Sequence, residues 1–174
     1  MAETQPFKRP HFFTGKLLTV ADLELEQQYH REKSKLHNRS LHGFGIVSGL
    51  KVSVDAGQIV VEPGLALDCA GNEIVITARQ TIAPPVITPE RHGNYVNLVY
   101  AEEATDPIAG LDETSTITES FELTFGVENL NRGHRHQRAR WLACGQPHAL
   151  TIAKLKRSAH GWRVERGYRP PVVK

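Results

Sequence analysis

The sequence predicts a mostly β protein of α+β character: one N-terminal helix, then a small antiparallel β sandwich or barrel-like domain. Three observations lead there. From Val20 to Ser40 there is no Gly or Pro, and Leu, Glu, Gln, Lys and Arg dominate, which are strong helix formers. From Gly43 onward, short alternating apolar runs are separated by Gly, Pro, Asn and Asp, with turn signals roughly every 8–12 residues as in small all-β domains. The composition, 40% apolar and 23% charged over 174 residues, is that of an ordinary globular chain. A domain of this length buries about 70% of the surface its unfolded chain exposes.

Taken in order, residues 1–18 read as an extended arm, 19–42 as the helix and 43–174 as the β domain. A proline-rich stretch at 83–90 marks a candidate subdomain boundary. The arm carries two prolines and three phenylalanines between Pro6 and Phe13. Its aromatics, Phe7, Phe12 and Phe13, need burial on this domain or on a neighbour. Thr14-Gly15 supplies a turn. Thr19 followed by Asp22 resembles a capping box with Asp in place of Glu. Acids (Asp22, Glu24, Glu26) open the helix and bases (Arg31, Lys33, Lys35, Arg39) close it, which suits its dipole. Its apolar stripe is thin, with Leu25, Tyr29 and Leu36 near one face and Val20 and Leu23 beside it. So polar a helix either lies on the edge of its own sheet or packs on partner chains.

The β pattern begins with Ile46–Val54, alternating from Gly49. The turn Asp55-Ala56-Gly57-Gln58 leads into Ile59–Val61, giving a hairpin. Leu65–Asp68 and Glu73–Thr77 follow, with Gly64, Gly71 and Asn72 expected at turn positions that need positive φ. Tyr95–Glu102 is a strand candidate and Ala104–Gly110 a loop. Ile117–Phe125 alternates with Ile117, Phe121, Leu123 and Phe125 toward a core. Leu150–Leu155 and Trp162–Val164 complete the set, ahead of an extended Pro170-Pro171 tail.

The chemistry-bearing patterns are few. The sequence holds no Walker loop, dinucleotide fingerprint, nucleophile elbow or HExxH helix, so a non-enzyme without a cofactor is expected. Glu102, Glu103 and Asp106 cluster at a strand end, where solvated carboxylates are commonplace. Cys69 and Cys144 lack CxxC spacing; they read as thiols in a reducing compartment, with a metal site completed by His148 as the alternative. His30 and His37, seven apart, share a helix face but are too distant for one metal ion. Asn131–Arg140 packs four arginines and two histidines into ten residues. That loop reads as a solvated or partner-docking basic segment. Two alternatives stay open: a nucleic-acid or polyanion site at Arg132–Arg140, and a metal site at His134 and His136. Net charge is +2, so the whole-molecule field favours neither nucleic acid nor membrane. No apolar run approaches the ~18 residues of a membrane span, and the polar Met1–Pro10 lacks a signal-peptide core. Cytoplasmic synthesis is the expectation.

The run "FFTGKLLTVADLELEQQYH", "LHNRSLHGFGIVSGLKV" and "IVVEPGLALDCAGNEIVI" resembles small proteins of phage tails and phage-tail-like contractile injection systems, in baseplate-proximal, fibre-attachment or adaptor roles. The shared pattern is a helix ending in H-G, a strand with Gly45, Val47, Gly49 and Leu50, and a segment with Pro63, Gly64, Ala66, Asp68, Gly71 and Ile74. The resemblance implies a non-enzymatic part of a virion or released particle. Its partners would be baseplate, spike, fibre or sheath subunits, and it would be a homo-oligomer, with three-fold symmetry one arrangement in keeping. The contact residues expected for that role are Phe7, Phe12, Phe13, Tyr29, His30, Arg31 and His37, with Arg135, His136 and Arg138 in the basic loop.

Overall fold

A computed structural model describes residues 6–85, 94–132, 144 and 149–173. One helix, α1 (Val20–His37), continues into a single π-helical turn at Asn38–His42, closed by the Gly43 N–H donating to Asn38 O at 3.0 Å. The capping box forms as expected: Asp22 N–H donates to the Thr19 hydroxyl, and Thr19 N–H to the Asp22 carboxylate.

Among the described residues ten strands follow: β1 (Gly45–Gly49), β2 (Val52–Asp55), β3 (Gln58–Val61), β4 (Gly64–Leu67), β5 (Glu73–Ile76), β6 (Gln80–Ile82), β7 (Tyr95–Pro107), β8 (Thr114–Gly126), β9 (Leu150–Ser158) and β10 (Gly161–Val164). They form three antiparallel sheets, ordered β1-β4-β5, β2-β3-β6 and β10-β9-β7-β8. The chain is therefore mostly β with α+β character, one sheet curling as a half-barrel. A single apolar cluster joins all three sheets, through Leu50, Ile59, Val61, Ala66, Ile74, Ile76, Val96, Leu98, Leu150, Ile152, Ala153 and Leu155. Fully burying a large aliphatic side chain of this kind contributes about 1.5–3 kcal/mol.

The sequence pattern and the strands differ at instructive places. The run Ile46–Val54 is two strands of different sheets, broken where Gly49 and Leu50 take φ of 65° and 55°. Gly49 faces Gly64 across β1–β4. A Cβ on Gly49 would overlap Pro63 O, and one on Gly64 would overlap Ser48 O and Leu50 N. Of the three residues expected at positive φ, only Gly71 takes it, at 94°. Gly64 is there for close backbone approach, and Asn72 for its hydrogen bonds to Asp68. Strand β6 lies where no strand was expected. Residues 104–107, expected as loop, belong to β7, which pairs with β8 from Tyr95 to Pro107. Since β7 meets β9 only from Tyr95 to Leu98, the outer half of this hairpin projects as a two-stranded ribbon. Ile117 lies on that ribbon, exposed rather than in the core, whereas Phe121, Leu123 and Phe125 pack on the core.

Two polar assemblies hold the layers together. Asp68, buried beneath the β4–β5 turn, accepts from Ala70 N–H, Asn72 N–H and Asn72 Nδ2 at 2.7–2.9 Å. In the other, Thr151 donates to Asn97 Oδ1 at 2.7 Å, and its backbone is bracketed by Asn131 and Tyr168. The tail closes beside β1, Ile46 N–H donating to Pro171 O and Val173 N–H to Ile46 O, each at 2.9 Å.

A Cβ on Gly71 would overlap the Lys35 carbonyl, besides forcing an unfavourable φ. At Gly57, φ is 79° but nothing lies within 4 Å. Gly71→Ala is thus expected to cost more than Gly57→Ala, whose cost is the ~1–2 kcal/mol of the left-handed backbone alone. Denaturant unfolding of both variants checks the ordering.

Candidate docking surface

The helix contains no buried residue. Its half-buried positions are Asp22, Leu25, Glu26, Tyr29, Glu32, Lys35 and Leu36, a stripe with near-heptad spacing. Among the described residues its hydrogen bonds to the β domain come from its C-terminal end. Asn38 Nδ2 donates to Gly71 O and to Glu73 Oε1, both at 3.0 Å, and Arg39 donates to Ala70 O at 3.3 Å. Arg31 lies 3.9 Å from Glu102 on the ribbon. Arg31, Asn38, Tyr100, Glu102, Glu119 and the Gly71–Glu73 segment line an open cleft of about 180 Å³ between helix and sheet. Tyr100 donates to Glu102 at 2.9 Å. Burial, then that hydrogen bond, pushes its phenol well above the ordinary range.

Around Leu25–Glu32, at and past the helix midpoint, the stripe is met by Pro6–Lys8 of the chain's own arm, which runs back antiparallel. The Phe7 ring meets Tyr29 edge-on at 6.4 Å, with Lys33 Nζ 5.1 Å from its centroid. Nearer the turn, Lys16 Nζ sits 5.4 Å from the Phe12 centroid and bonds Asp22 at 2.6 Å. The arm and the helix start therefore form one antiparallel unit clasped at both ends. Six of its large apolar side chains remain open to solvent: Phe12, Phe13, Leu17, Leu18, Val20 and Leu23 are all exposed, Phe13 by 63% and Leu17 by 83%. Leu17, Leu18, Val20 and Leu23 stand outside the contact residues expected from the sequence, which were Phe7, Phe12, Phe13, Tyr29, His30, Arg31 and His37 with Arg135, His136 and Arg138 of the basic loop. Their signal was an unpartnered "KLLTV" run beside a helix cap.

The remaining site residues divide. His30 bonds Glu26 at 3.0 Å and stands edge-on to Tyr29. His37 leaves that region and packs on His42 with centroids 5.4 Å apart. Thus Phe7, Phe12, Phe13, Tyr29 and His30 lie on the arm–helix unit, whereas Arg31 and His37 point to the helix's anchored half. His134, Arg135, His136 and Arg138 lie outside the described residues, as does His148. Among the described residues no group of three His, Cys, Asp or Glu is disposed to hold a metal ion. Cys69 and Cys144 are both buried, with no disulfide between them. The Cys69 thiol is pushed above its ordinary range by burial first, then by the adjoining Cys144, with which it shares a hydrogen bond. No described helix is long and apolar enough to cross a membrane.

The fold is similar to two solved structures. Against the crystal structure of TssK it aligns with a TM-score of 0.52 at 12% identity, covering 96% of this chain and 43% of that one. Against a chain of the type VI secretion system TssK–TssF–TssG baseplate subcomplex the TM-score is 0.50 at 15% identity, covering 96% of this chain and 62% of the other. The chain thus spans less than two thirds of either, and the likeness at these identities is one of fold. No protein-family model and no curated protein sequence matches.

The clasp at the helix start is expected to respond to pH. Asp22 is held below its ordinary 3.8 by the Lys16 hydrogen bond first, then by those of Thr19. A lowered folded-state value favours the ionised form, so the carboxylate's contribution is present above the ordinary value and lost as pH falls through the lowered one. Amide shifts of residues 20–23, titrated from about pH 6 to about pH 2, are expected to move with a midpoint under 3.8. Asp22→Asn should abolish that transition and fray the first helical turn at all pH values.

Proposed function

We propose that the protein is a non-enzymatic structural or adaptor subunit of a phage-tail-like contractile injection particle, joined to its neighbours through the arm–helix unit. The observation that carries this reading is the open apolar face from Phe12 to Leu23. Six large apolar side chains stand exposed on one short stretch, where an isolated domain would be expected to scatter them. The fold likeness to TssK, and to a chain of a baseplate subcomplex, supports the choice of particle. The motif residues of the resemblance also support it, since Gly45, Gly49, Gly64, Asp68 and Gly71 all serve the β framework that presents the helix.

In this role the β domain is a rigid block and the arm–helix unit is its projecting contact. The neighbours are other subunits of the particle, with further copies of this chain among them. The chain is made in the cytoplasm and becomes part of the assembled particle. No catalytic step belongs to it. Glu102 is engaged by Tyr100 and Arg31, and Glu103 and Asp106 are exposed on the ribbon.

The test is made in the producing cell with tagged protein, by sedimentation followed by negative-stain electron microscopy. Wild-type protein is expected to travel with rod-shaped, tail-like particles. A chain lacking residues 1–13, and the full-length double variant Phe13→Asp/Leu17→Asp, should stay folded by circular dichroism yet remain in the supernatant. Normal incorporation of either variant would remove the arm from the contact. A wild-type protein found only as a small species would remove the particle altogether.

A further inference from the structure

A second surface lies away from the arm–helix unit, where two sheets approach edge to edge. Strand β2 is the outer strand of β2-β3-β6, and β10 that of β10-β9-β7-β8. Among the described residues each pairs on one side only, β2 with β3 and β10 with β9. Between them runs an open groove of about 990 Å³, lined by Lys51–Val54, Lys156 and Trp162–Arg166. Val52, Val54, Trp162 and Val164 are half-buried against the core and form its apolar wall.

Its rim is basic. Lys51, Lys156, Arg163 and Arg166 are exposed, and Arg163 stands directly across from Lys156 in the β9–β10 register. The acid among the lining residues, Glu165, is already engaged by Lys154 at 2.9 Å. Outside the lining, the Arg157 guanidinium lies 5.6 Å from the Trp162 ring. Like charges brought together on adjacent strands disfavour the empty surface, and no described carboxylate compensates the four rim cations.

We infer that this groove binds an extended acidic peptide segment of a partner protein, laid along the cleft between β2 and β10. Cα atoms of the two strands come within 8 Å of one another, too close for a further strand at about 4.8 Å from each, so the recognition is by side chains. Alternation along that chain would put carboxylates toward Lys51, Lys156, Arg163 and Arg166 and small apolar side chains toward Trp162 and Val164. A double-stranded nucleic acid suits the site less well, because Val52, Val54, Trp162 and Val164 make one wall of it apolar rather than a basic stripe. The inference concerns a site separate from the arm contact and stands without it.

The test uses fluorescence anisotropy with a labelled heptapeptide of alternating Glu and Val, the full chain being the receptor. Binding is expected, weakening as salt rises. Arg163→Glu and Lys51→Glu should each weaken it about tenfold, since like-charge juxtaposition at an interface costs more than 1 kcal/mol. Because both side chains are exposed, unchanged thermal unfolding should show that the variants remain folded. The same peptide with lysine in place of glutamate should not bind. No binding of the Glu/Val peptide would overturn the proposal, and so would indifference to both substitutions. Equal binding of a seven-nucleotide oligothymidylate would also overturn it, as that would mean attraction to any polyanion.

Discussion

The arrangement depends on how the end of the helix seats on the β4–β5 turn. A helix with no buried residue has little hydrophobic reason to hold one direction. What holds this one is a backbone approach at Gly71, close enough that no side chain fits, together with Asn38 and Arg39 donating to carbonyls of the same turn. The turn is itself fixed from beneath by Asp68, whose buried carboxylate takes three hydrogen bonds. A buried carboxylate is costly unless so satisfied, and once satisfied it leaves the turn one conformation. The π-helical turn follows from the same contact, since it brings Asn38 and Arg39 down onto the turn while Gly43 swings the chain into β1.

From that anchor the rest of the presentation follows. With its C-terminal end fixed, the helix holds its start and the arm clear of the β core, and the arm's own contacts prevent it from trailing. Phe7 on Tyr29 and Lys16 on Asp22 tie it down without closing its outer face. The β framework makes a comparable use of glycine. Gly49 and Gly64 face one another so that β1 and β4 can approach while Leu50 turns into the core, and this is also where β1 gives way to β2. One local constraint thus divides a continuous apolar run between two sheets.

How much of this the sequence revealed depends on whether the signal was local. The helix, its capping box and the Val52–Val61 hairpin were legible because each is specified within a few neighbouring residues. The split at Leu50 was not, because alternation continues through it and only the distant Pro63–Gly64 backbone demands the break. Strand β6 escaped notice because Gln80–Ile82 is short and polar and owes its conformation to pairing with β3. The ribbon's length was underestimated because Ala104–Pro107 carries turn-forming residues that β8 nevertheless pairs. Of the exposed apolar stretch, the phenylalanines stood out by residue type, whereas Leu17 and Leu18 carry no local motif and their exposure depends on how the arm lies beside the helix. The basic groove was invisible, since Lys51 and Arg163 are brought together by tertiary structure alone.

The energetics favour a part that works within an assembly over one that binds a single partner tightly. Burying a large apolar side chain fully contributes about 1.5–3 kcal/mol. The six on the arm–helix face, exposed to differing degrees, would then supply on the order of 10 kcal/mol by the same measure. Association costs about 4–15 kcal/mol in lost motional freedom before any net affinity appears. The two are of the same size, so one such contact in isolation is weak. A second contact on the same rigid block changes the outcome, because the first then holds the partner at high effective concentration. The β core meets the requirement for that gain: it fixes the distance between its projecting helix and its sheet edges. A flexible link between two such surfaces would forfeit part of the advantage, whereas a core joined by one continuous apolar cluster retains it.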